Sequence, residues 1–187
     1  MERQFKYDIM PEIKTRWSPR AFSSEKISKE DLNAVLEAAS FAPSCFNEQP
    51  WRFVVADTEE ELSKLRGLLT PANQVWANKA PVLILIVAKI DFDLTGQANF
   101  WHMFDTGTAW GFLSLEAERR GLITHGMAGF NRNKSKELYD LTDKYEPIAV
   151  IALGKYGDKS DLSEDLQKRE KPDVRLELSQ LILNKQE

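Results

Sequence analysis

The stretch Ala80-Pro81-Val82-Leu83-Ile84-Leu85-Ile86-Val87-Ala88 is the longest apolar run in the chain. It is far shorter than the ~20 residues that a bilayer-spanning helix needs. Apolar side chains follow one another without alternation, which is typical of a strand covered on both faces rather than on one. The run therefore predicts a central strand, in the middle of a sheet that has other elements packed above and below it.

Helical and strand patterns alternate on either side of this strand. In chain order we expect a helix over 28–41, a strand over 51–56, helices over 58–69, 99–120 and 134–141, and a strand over 147–153. Ser28 and Thr58 each precede an acidic residue by three positions, which is a helix-start signal. The charged stretch 155–171 predicts a loop. The leucine-rich stretch 176–183 is too apolar for a solvated tail, so we expect it to dock on something.

Size and composition narrow the class of protein. The 187 residues, 42% apolar and 29% charged, predict a single globular domain over 1–187. The net charge of -4 excludes a global positive field for nucleic acid or an anionic membrane. The charged N-terminus lacks a secretory signal, so we expect a cytoplasmic protein. With one cysteine, Cys45, and two histidines, we expect no internal disulfide and no metal site.

The segment Arg16-Trp17-Ser18-Pro19-Arg20-Ala21-Phe22 carries the first candidate binding residues. Arg16, Ser18 and Arg20 occupy alternate positions on a stretch made extended by Pro19, so their side chains lie on the same side of the backbone. The fork of an arginine matches a phosphate bidentately and keeps its charge. The pattern suits a phosphate or a planar anionic ring, but the spacing alone favours a solvated basic turn.

The segment Ala42-Pro43-Ser44-Cys45-Phe46-Asn47-Glu48-Gln49-Pro50-Trp51 places a hydroxyl and two amides between two prolines. Side-chain amides offer a donor and an acceptor together, as the edge of a heterocycle requires. Asn and Pro are also common in loops for backbone reasons. On its own, this segment favours ordinary turn chemistry.

Together the two segments resemble the nitroreductase family, whose signatures are an R-x-S-x-R-x-F run and a P-S-x-x-N-x-Q-P-W run separated by a helix. Asp105 and Gly107 resemble its central helix, residues 126–130 its loop beside the flavin, and residues 169–172 its basic tail. The resemblance covers nearly the whole chain. It implies an α+β fold: a nitroreductase-like three-layer α-β-α sandwich with a mainly antiparallel central sheet, in a homodimer that exchanges its C-terminal segments.

The resemblance also implies a non-covalently bound FMN. The binding residues that it implies are Arg16, Trp17, Ser18, Arg20, Pro43, Ser44, Cys45, Asn47, Gln49, Asn73, Met127, Ala128, Gly129, Arg169 and Lys171. Arg16 and Ser18 would hold the phosphate and ribityl chain, with Arg169 and Lys171 completing the cage. Arg20 would lie near the N1 and O2 edge of the ring, where it stabilises the charge of the reduced form.

Other implied contacts come from loops. Pro43, Ser44 and Asn47 are expected to reach the flavin from the partner subunit, while Asn73 touches the ring edge. The backbone N–H of Ala128 or the next residue would point at flavin N5. Many family members carry an acidic residue in place of Ala128, which puts the electronics near N5 in doubt.

The sequence leaves the roles of some residues open. Lys168 could replace Arg169 or Lys171 in the cage, although the alternate spacing of the latter two suits an extended segment. Gly107 and Gly111 predict a close backbone approach, either inside the chain or between subunits. Among the remaining candidates, His102 and Cys45 suit structural roles, and the role of His125 is open.

The function implied is electron transfer from NADH or NADPH through the flavin to a small organic acceptor, such as a nitroaromatic or a quinone. Both substrates need the same face of one ring, so a ping-pong mechanism without an amino-acid catalyst is expected. Residues 89–99 are the only candidate lid, which favours an open pocket. The alternatives are a specialised flavoenzyme of the same family, of dehalogenase or dehydrogenase type, and a flavin-binding or regulatory dimer without turnover.

Overall fold

A four-stranded antiparallel sheet forms the centre of the computed structural model, which describes residues 3–184. The strands are β1 (Trp51–Ala56), β2 (Val82–Lys89), β3 (Ile123–Met127) and β4 (Tyr145–Gly154), in the spatial order β1-β2-β4-β3. β2 pairs with β1 on one side and with β4 on the other, and every residue from Val82 to Ala88 is buried. The prediction of a central strand here is confirmed.

Helices surround the sheet. They are α1 (Pro11–Thr15), α2 (Lys29–Ser40), α3 (Glu59–Arg66), α4 (Pro71–Ala77), α5 (His102–Arg119), α6 (Arg132–Leu138), α7 (Glu164–Arg169) and α8 (Leu178–Leu181). The predicted helix-start signals are confirmed, because the hydroxyls of Ser28 and Thr58 accept hydrogen bonds from the backbone N–H groups of Asp31 and Glu61. No helix of residues 3–184 has the length and apolar character needed to cross a bilayer.

Side chains of β2 alternate between two hydrophobic layers. Ile84 and Ile86 pack with residues of α2 and α5 on one face. Leu83 and Leu85 pack with residues of α3 and α4 on the other. The predicted three-layer α-β-α arrangement is therefore confirmed, and its physical basis is the pleat of one fully buried strand.

The elements that differ from the sequence-based expectation include α4, β3 and α7. Pro71 lies beyond the end of the helix predicted over 58–69, as expected, but it also begins the unpredicted α4, where the N–H that proline lacks would have no helical partner. β3 includes Gly126 and Met127, which were expected in a loop. α7 lies within 155–171, which was expected to be a loop throughout. All three elements are short, so their apolar periodicity is weak.

The C-terminal segment contains α8 but does not dock within its own chain. Leu178, Leu181 and Leu183 are more than half exposed. No part of residues 3–184 covers these leucines.

Candidate functional site

The segment 16–22 runs extended from the end of α1 and is fixed against the chain that follows β4. The backbone N–H of Ser23 donates to the carbonyl of Lys155 (2.9 Å), and that of Gly157 donates to the carbonyl of Ala21 (2.7 Å). A Cβ at Gly157 would lie 2.7 Å from the carbonyl group of Phe22. The close approach therefore requires glycine.

Glu170 joins this segment to the C-terminal part of the chain. Its Oε1 accepts hydrogen bonds from the backbone N–H groups of Arg20 (2.8 Å) and Ala21 (2.9 Å), and the residue is only 5% exposed. The bond brings the neighbours of Glu170, namely Arg169 and Lys171, next to the N-terminal arginines. Residues about 150 positions apart in sequence thus meet at one place.

A cavity of about 390 Å³ lies at this junction. It is lined by Arg3, Arg16, Trp17, Ser18, Arg20, His125, Lys168, Arg169, Lys171, Pro172, Asp173 and Arg175. The structure thus brings together the predicted residues of the two chain ends: Arg16, Trp17, Ser18, Arg20, Arg169 and Lys171. Lys168, the alternative member of the cage, lines the same cavity.

Positive charge dominates the cavity, because Asp173 is the only carboxylate among the lining residues. Burial lowers the pKa of Arg16, and so do the neighbouring charges of Arg3 and Arg175. Burial also lowers the pKa of Arg20, with a further contribution from the charge of Arg169. Like charges held together in this way favour the binding of an anion, which would relieve their repulsion.

His125 supports the arginine segment from β3. Its Nδ1 lies 2.9 Å from the carbonyl oxygen of Pro19, and its ring packs on that of Trp76 with 4.5 Å between the centroids. Burial is the main reason that the pKa of His125 is lowered to about 4, and the charges of Arg20 and Arg16 lower it further. The hydrogen bond to Pro19 raises the pKa and offsets part of this effect. The ring is therefore neutral at pH 7, so Nδ1–H donates to the carbonyl.

One detail of the predicted cage is wrong. Arg169 and Lys171 were expected to lie on the same side of an extended segment, but Arg169 is the last residue of α7. The backbone N–H of Lys171 donates to the carbonyl of Arg169 (2.9 Å), so a turn separates the two. Both side chains still line the cavity, because the turn and Glu170 direct them there.

The loop 43–49 is held by hydrogen bonds but does not line this cavity. The backbone N–H of Cys45 donates to Oδ2 of buried Asp105 (3.0 Å), and that of Gln49 donates to Oγ of Ser44 (2.9 Å). Phe46, Asn47 and Gln49 have positive φ angles. Within one chain, the structure therefore does not bring Pro43, Ser44, Cys45, Asn47 or Gln49 to the arginines.

Asn73 fixes the turn that follows β3. Its Nδ2 donates to the carbonyl oxygen of Gly129 (3.0 Å), which also accepts from the backbone N–H of Thr70 (3.0 Å). A Cβ at Gly129 would lie 2.8 Å from Asn73 Nδ2, so any other residue there would have to displace the Asn73 side chain. Ala128 is exposed, whereas the Met127 side chain is 3% exposed in the core, which leaves only its backbone for a ligand.

Sequence reasoning missed Arg3 and Arg175, which line the cavity from the two ends of the chain. Each is an isolated arginine outside any recognised motif, so no local pattern could have indicated it. Only the three-dimensional meeting of the chain ends reveals them.

An antiparallel sheet between helical layers, with an arginine-lined cavity built from both ends of the chain, defines an α+β protein whose cavity suits an anionic ligand. A sequence model of the nitroreductase family matches residues 13–72 and 69–155, and the chain belongs to this family. The predicted family is therefore confirmed, and with it the nitroreductase-type class of oxidoreductase.

Relatives and solved structures agree with this assignment. A protein of Archaeoglobus fulgidus, provisionally named NADH dehydrogenase/NAD(P)H nitroreductase, is 29% identical over 81% of this chain and 87% of its own length. The FMN reductase [NAD(P)H] of Bacillus subtilis is 25% identical over 82% of this chain and 68% of its own. A crystal structure described as an oxidoreductase containing FMN is 36% identical, with a TM-score of 0.93 over 98% of this chain and 95% of that one.

The neutral state of His125 gives a testable pH dependence. In the flavin-free protein, NMR titration of the imidazole should give a midpoint at about pH 4. Because the unfolded chain protonates this ring near the usual pKa of about 6.5, the free energy of unfolding should fall by roughly 3 kcal/mol as the pH drops from about 6.5 to about 4. The variant His125→Gln should lose this part of the slope. A midpoint near pH 6.5 would contradict the structure.

Proposed function

We propose that this chain is an FMN-dependent oxidoreductase that passes electrons from NADH or NADPH to small organic acceptors, such as nitroaromatics or quinones. One observation carries the proposal: in a fold of the nitroreductase family, both ends of the chain place arginines around a single cavity. The proposal treats residues 1–187 as one FMN-binding domain. Its cytoplasmic location stays a prediction.

The residues of the cavity fit the phosphate of FMN. Arg16 and Ser18 lie on an extended strand of chain, and Arg169 and Lys171 reach the same space from the C-terminal side. Guanidinium, ammonium and hydroxyl donors suit a phosphate dianion. Burial and the charges of Arg3 and Arg175 lower the pKa of Arg16, so an anion bound there would relieve this cost.

The same residues serve the redox function. When bound, FMN supplies a ring that accepts hydride from a nicotinamide and returns electrons to an acceptor. Arg20 is a fixed cation that favours the negatively charged reduced form of the ring. Its guanidinium is held over the buried Trp76, 6.0 Å from the ring centroid. Ala128 and Gly129 lack bulky side chains, which lets their backbone approach a flat ligand.

A homodimer completes the proposed site. The exposed face of α5 and the residues just before it is rich in large apolar side chains: Phe100, Trp101, Met103, Phe104 and Phe112. A Cβ at Gly107 or Gly111 would meet nothing within 4 Å, so these glycines do not serve packing inside the chain. This favours the subunit-contact interpretation. A second copy on this face would bring its loop 43–49 to the flavin, and exchanged C-terminal segments would cover the exposed leucines.

The acceptor site is open in this proposal. Residues 89–99 form only a short hairpin, with a bridge between Asp91 and Ala98 and with Leu94 95% exposed near its tip. Phe92 of this hairpin contacts Phe46 edge to face, with 6.0 Å between the two ring centroids. A short lid with aromatic walls suits several flat acceptors better than one specific substrate.

Bound cofactor is the first test. The protein as purified should show the visible absorbance of an oxidised flavin, released as FMN on denaturation. Arg16→Ala should weaken FMN binding about 10-fold to 100-fold, since a charge-assisted hydrogen bond to the phosphate is lost. Arg119→Ala, which removes an exposed arginine outside the cavity, is the control. A colourless protein that takes up no FMN would refute the proposal.

Turnover is the second test. Anaerobic addition of NADH or NADPH should bleach the bound flavin, and a quinone or nitroaromatic should restore the colour. Because donor and acceptor share one ring face, initial-velocity plots should give parallel lines. Converging lines would argue against a ping-pong mechanism, in which donor and acceptor bind in turn. Colour that persists with both donors would indicate the binding or regulatory alternative, or an enzyme with another electron donor.

The shared site is the third test. We would co-express an Arg16→Ala chain with an Asn47→Leu chain and isolate the mixed dimer through two different tags. If each site combines the arginines of one chain with the loop of the other, one site carries both defects and the second carries neither, so about half of the wild-type flavin content should return. A site made within one chain would instead leave both sites defective, and the mixed dimer would bind no more flavin than its parents.

A further inference from the structure

Arg3 and Arg175 line the cavity near Arg16 and are surplus to the cage described above. Nη1 of Arg3 donates to the carbonyl oxygen of Arg16 (2.7 Å), which holds the guanidinium of Arg3 beside the segment 16–22. Nε and Nη2 of the same guanidinium are buried and have no hydrogen-bond partner. Buried donors of this kind are costly unless something accepts their bonds.

No carboxylate neutralises these two arginines by direct contact in residues 3–184. The charges of Asp173 and Glu118 act on Arg3 only at longer range, and they offset the repulsion from Arg175 in part. Burial lowers the pKa of Arg3 first, and the Arg175 charge lowers it further. The pair thus remains a cationic site with unused donors.

The number of donors exceeds what one phosphate uses. Arg16, Ser18, Arg169 and Lys171 already offer a dianion a full set of charge-assisted hydrogen bonds. Arg3, Arg16 and Arg175 line both this cavity and the adjoining groove between the N-terminal segment and α5, so the two extra arginines lie beside Arg16 where the cavity meets the groove. A ligand with a single phosphate leaves them unsatisfied.

We propose that Arg3 and Arg175 form a second phosphate subsite, adjacent to the one that holds the FMN phosphate. The second phosphate group can be covalently attached, as in the diphosphate of a flavin adenine dinucleotide, or free, as inorganic phosphate bound beside FMN. Both sources present the same tetrahedral anion to the paired guanidinium groups. The inference rests on the proposed function, because the first subsite is assigned to the flavin phosphate.

Calorimetry with defined probes tests the second subsite. FMN-saturated protein in phosphate-free buffer is titrated with inorganic phosphate, and flavin-free protein is titrated separately with FMN, FAD and pyrophosphate. Arg3→Met and Arg175→Met keep an unbranched apolar stem and remove the charge. Arg3→Lys restores a charge, and Arg119→Met is the matched control outside the cavity. Thermal melting and sedimentation of each variant report its folding and its oligomeric state.

We expect one of two positive results. Either saturable phosphate binding is seen on FMN-loaded protein, or FAD binds at least as tightly as FMN. In each case Arg3→Met and Arg175→Met should weaken that binding about 10-fold, as expected for a lost charge-assisted hydrogen bond. FMN affinity should change less than about 3-fold, since its phosphate uses other residues. Arg3→Lys should recover part of the loss.

Other results overturn the subsite. If phosphate only competes with FMN and never binds the loaded protein, and FAD binds more weakly than FMN, the cavity holds one phosphate. If the variants change only the sedimentation behaviour, the arginines face a carboxylate of a second copy instead. Failure of the proposed function is distinguishable, because pyrophosphate binding to flavin-free protein can still be measured when no FMN binds.

Discussion

The candidate site depends on one buried carboxylate. Glu170 accepts hydrogen bonds from two consecutive backbone N–H groups, at Arg20 and Ala21, and so fastens the end of the chain to its beginning. The bond is made to the backbone, which leaves the side chain of Arg20 available to the cavity. Because Glu170 is only 5% exposed and accepts both bonds, its loss would leave a part-buried and a buried N–H donor unsatisfied. These two bonds hold Arg169 and Lys171 beside the N-terminal arginines.

The hydrogen bonds of Glu170 bring like charges close together, which is electrostatically unfavourable. Seven cationic side chains line one cavity, and Asp173 is the only carboxylate among the lining residues. The lowered pKa values of Arg3, Arg16 and Arg20 express this conflict: each guanidinium is partly buried and faces another positive charge. Such an arrangement is unfavourable for the protein by itself and becomes favourable when an anion binds. The hydrophobic layers around β2 supply the stability that makes it possible, and one of them reaches the charged junction through Ala21, Phe22 and Trp76.

The sequence predicted the fold where a single element carried a strong pattern. The run 80–88 identified the central strand because full burial removes every polar side chain from it. Motif resemblance predicted six of the cavity residues. The rest depended on tertiary structure: Arg169 ends a helix too short to show periodicity, and Met127 turns inward because β3 pairs with β4 at that position. Arg3 and Arg175 are isolated residues whose meeting no local pattern encodes.

The loop 43–49 is held in an unfavourable backbone conformation. Its backbone adopts the left-handed region at Phe46, Asn47 and Gln49, which is unfavourable for non-glycine residues unless the surroundings impose it. Hydrogen bonds from Cys45 to Asp105 and from Gln49 to Ser44 impose it, so the loop is organised in advance. Yet this organised loop contributes nothing to the cavity of its own chain. In the proposed homodimer, this strained loop would complete the site of a second copy, where its amides would meet the ring whose phosphate the arginines would hold.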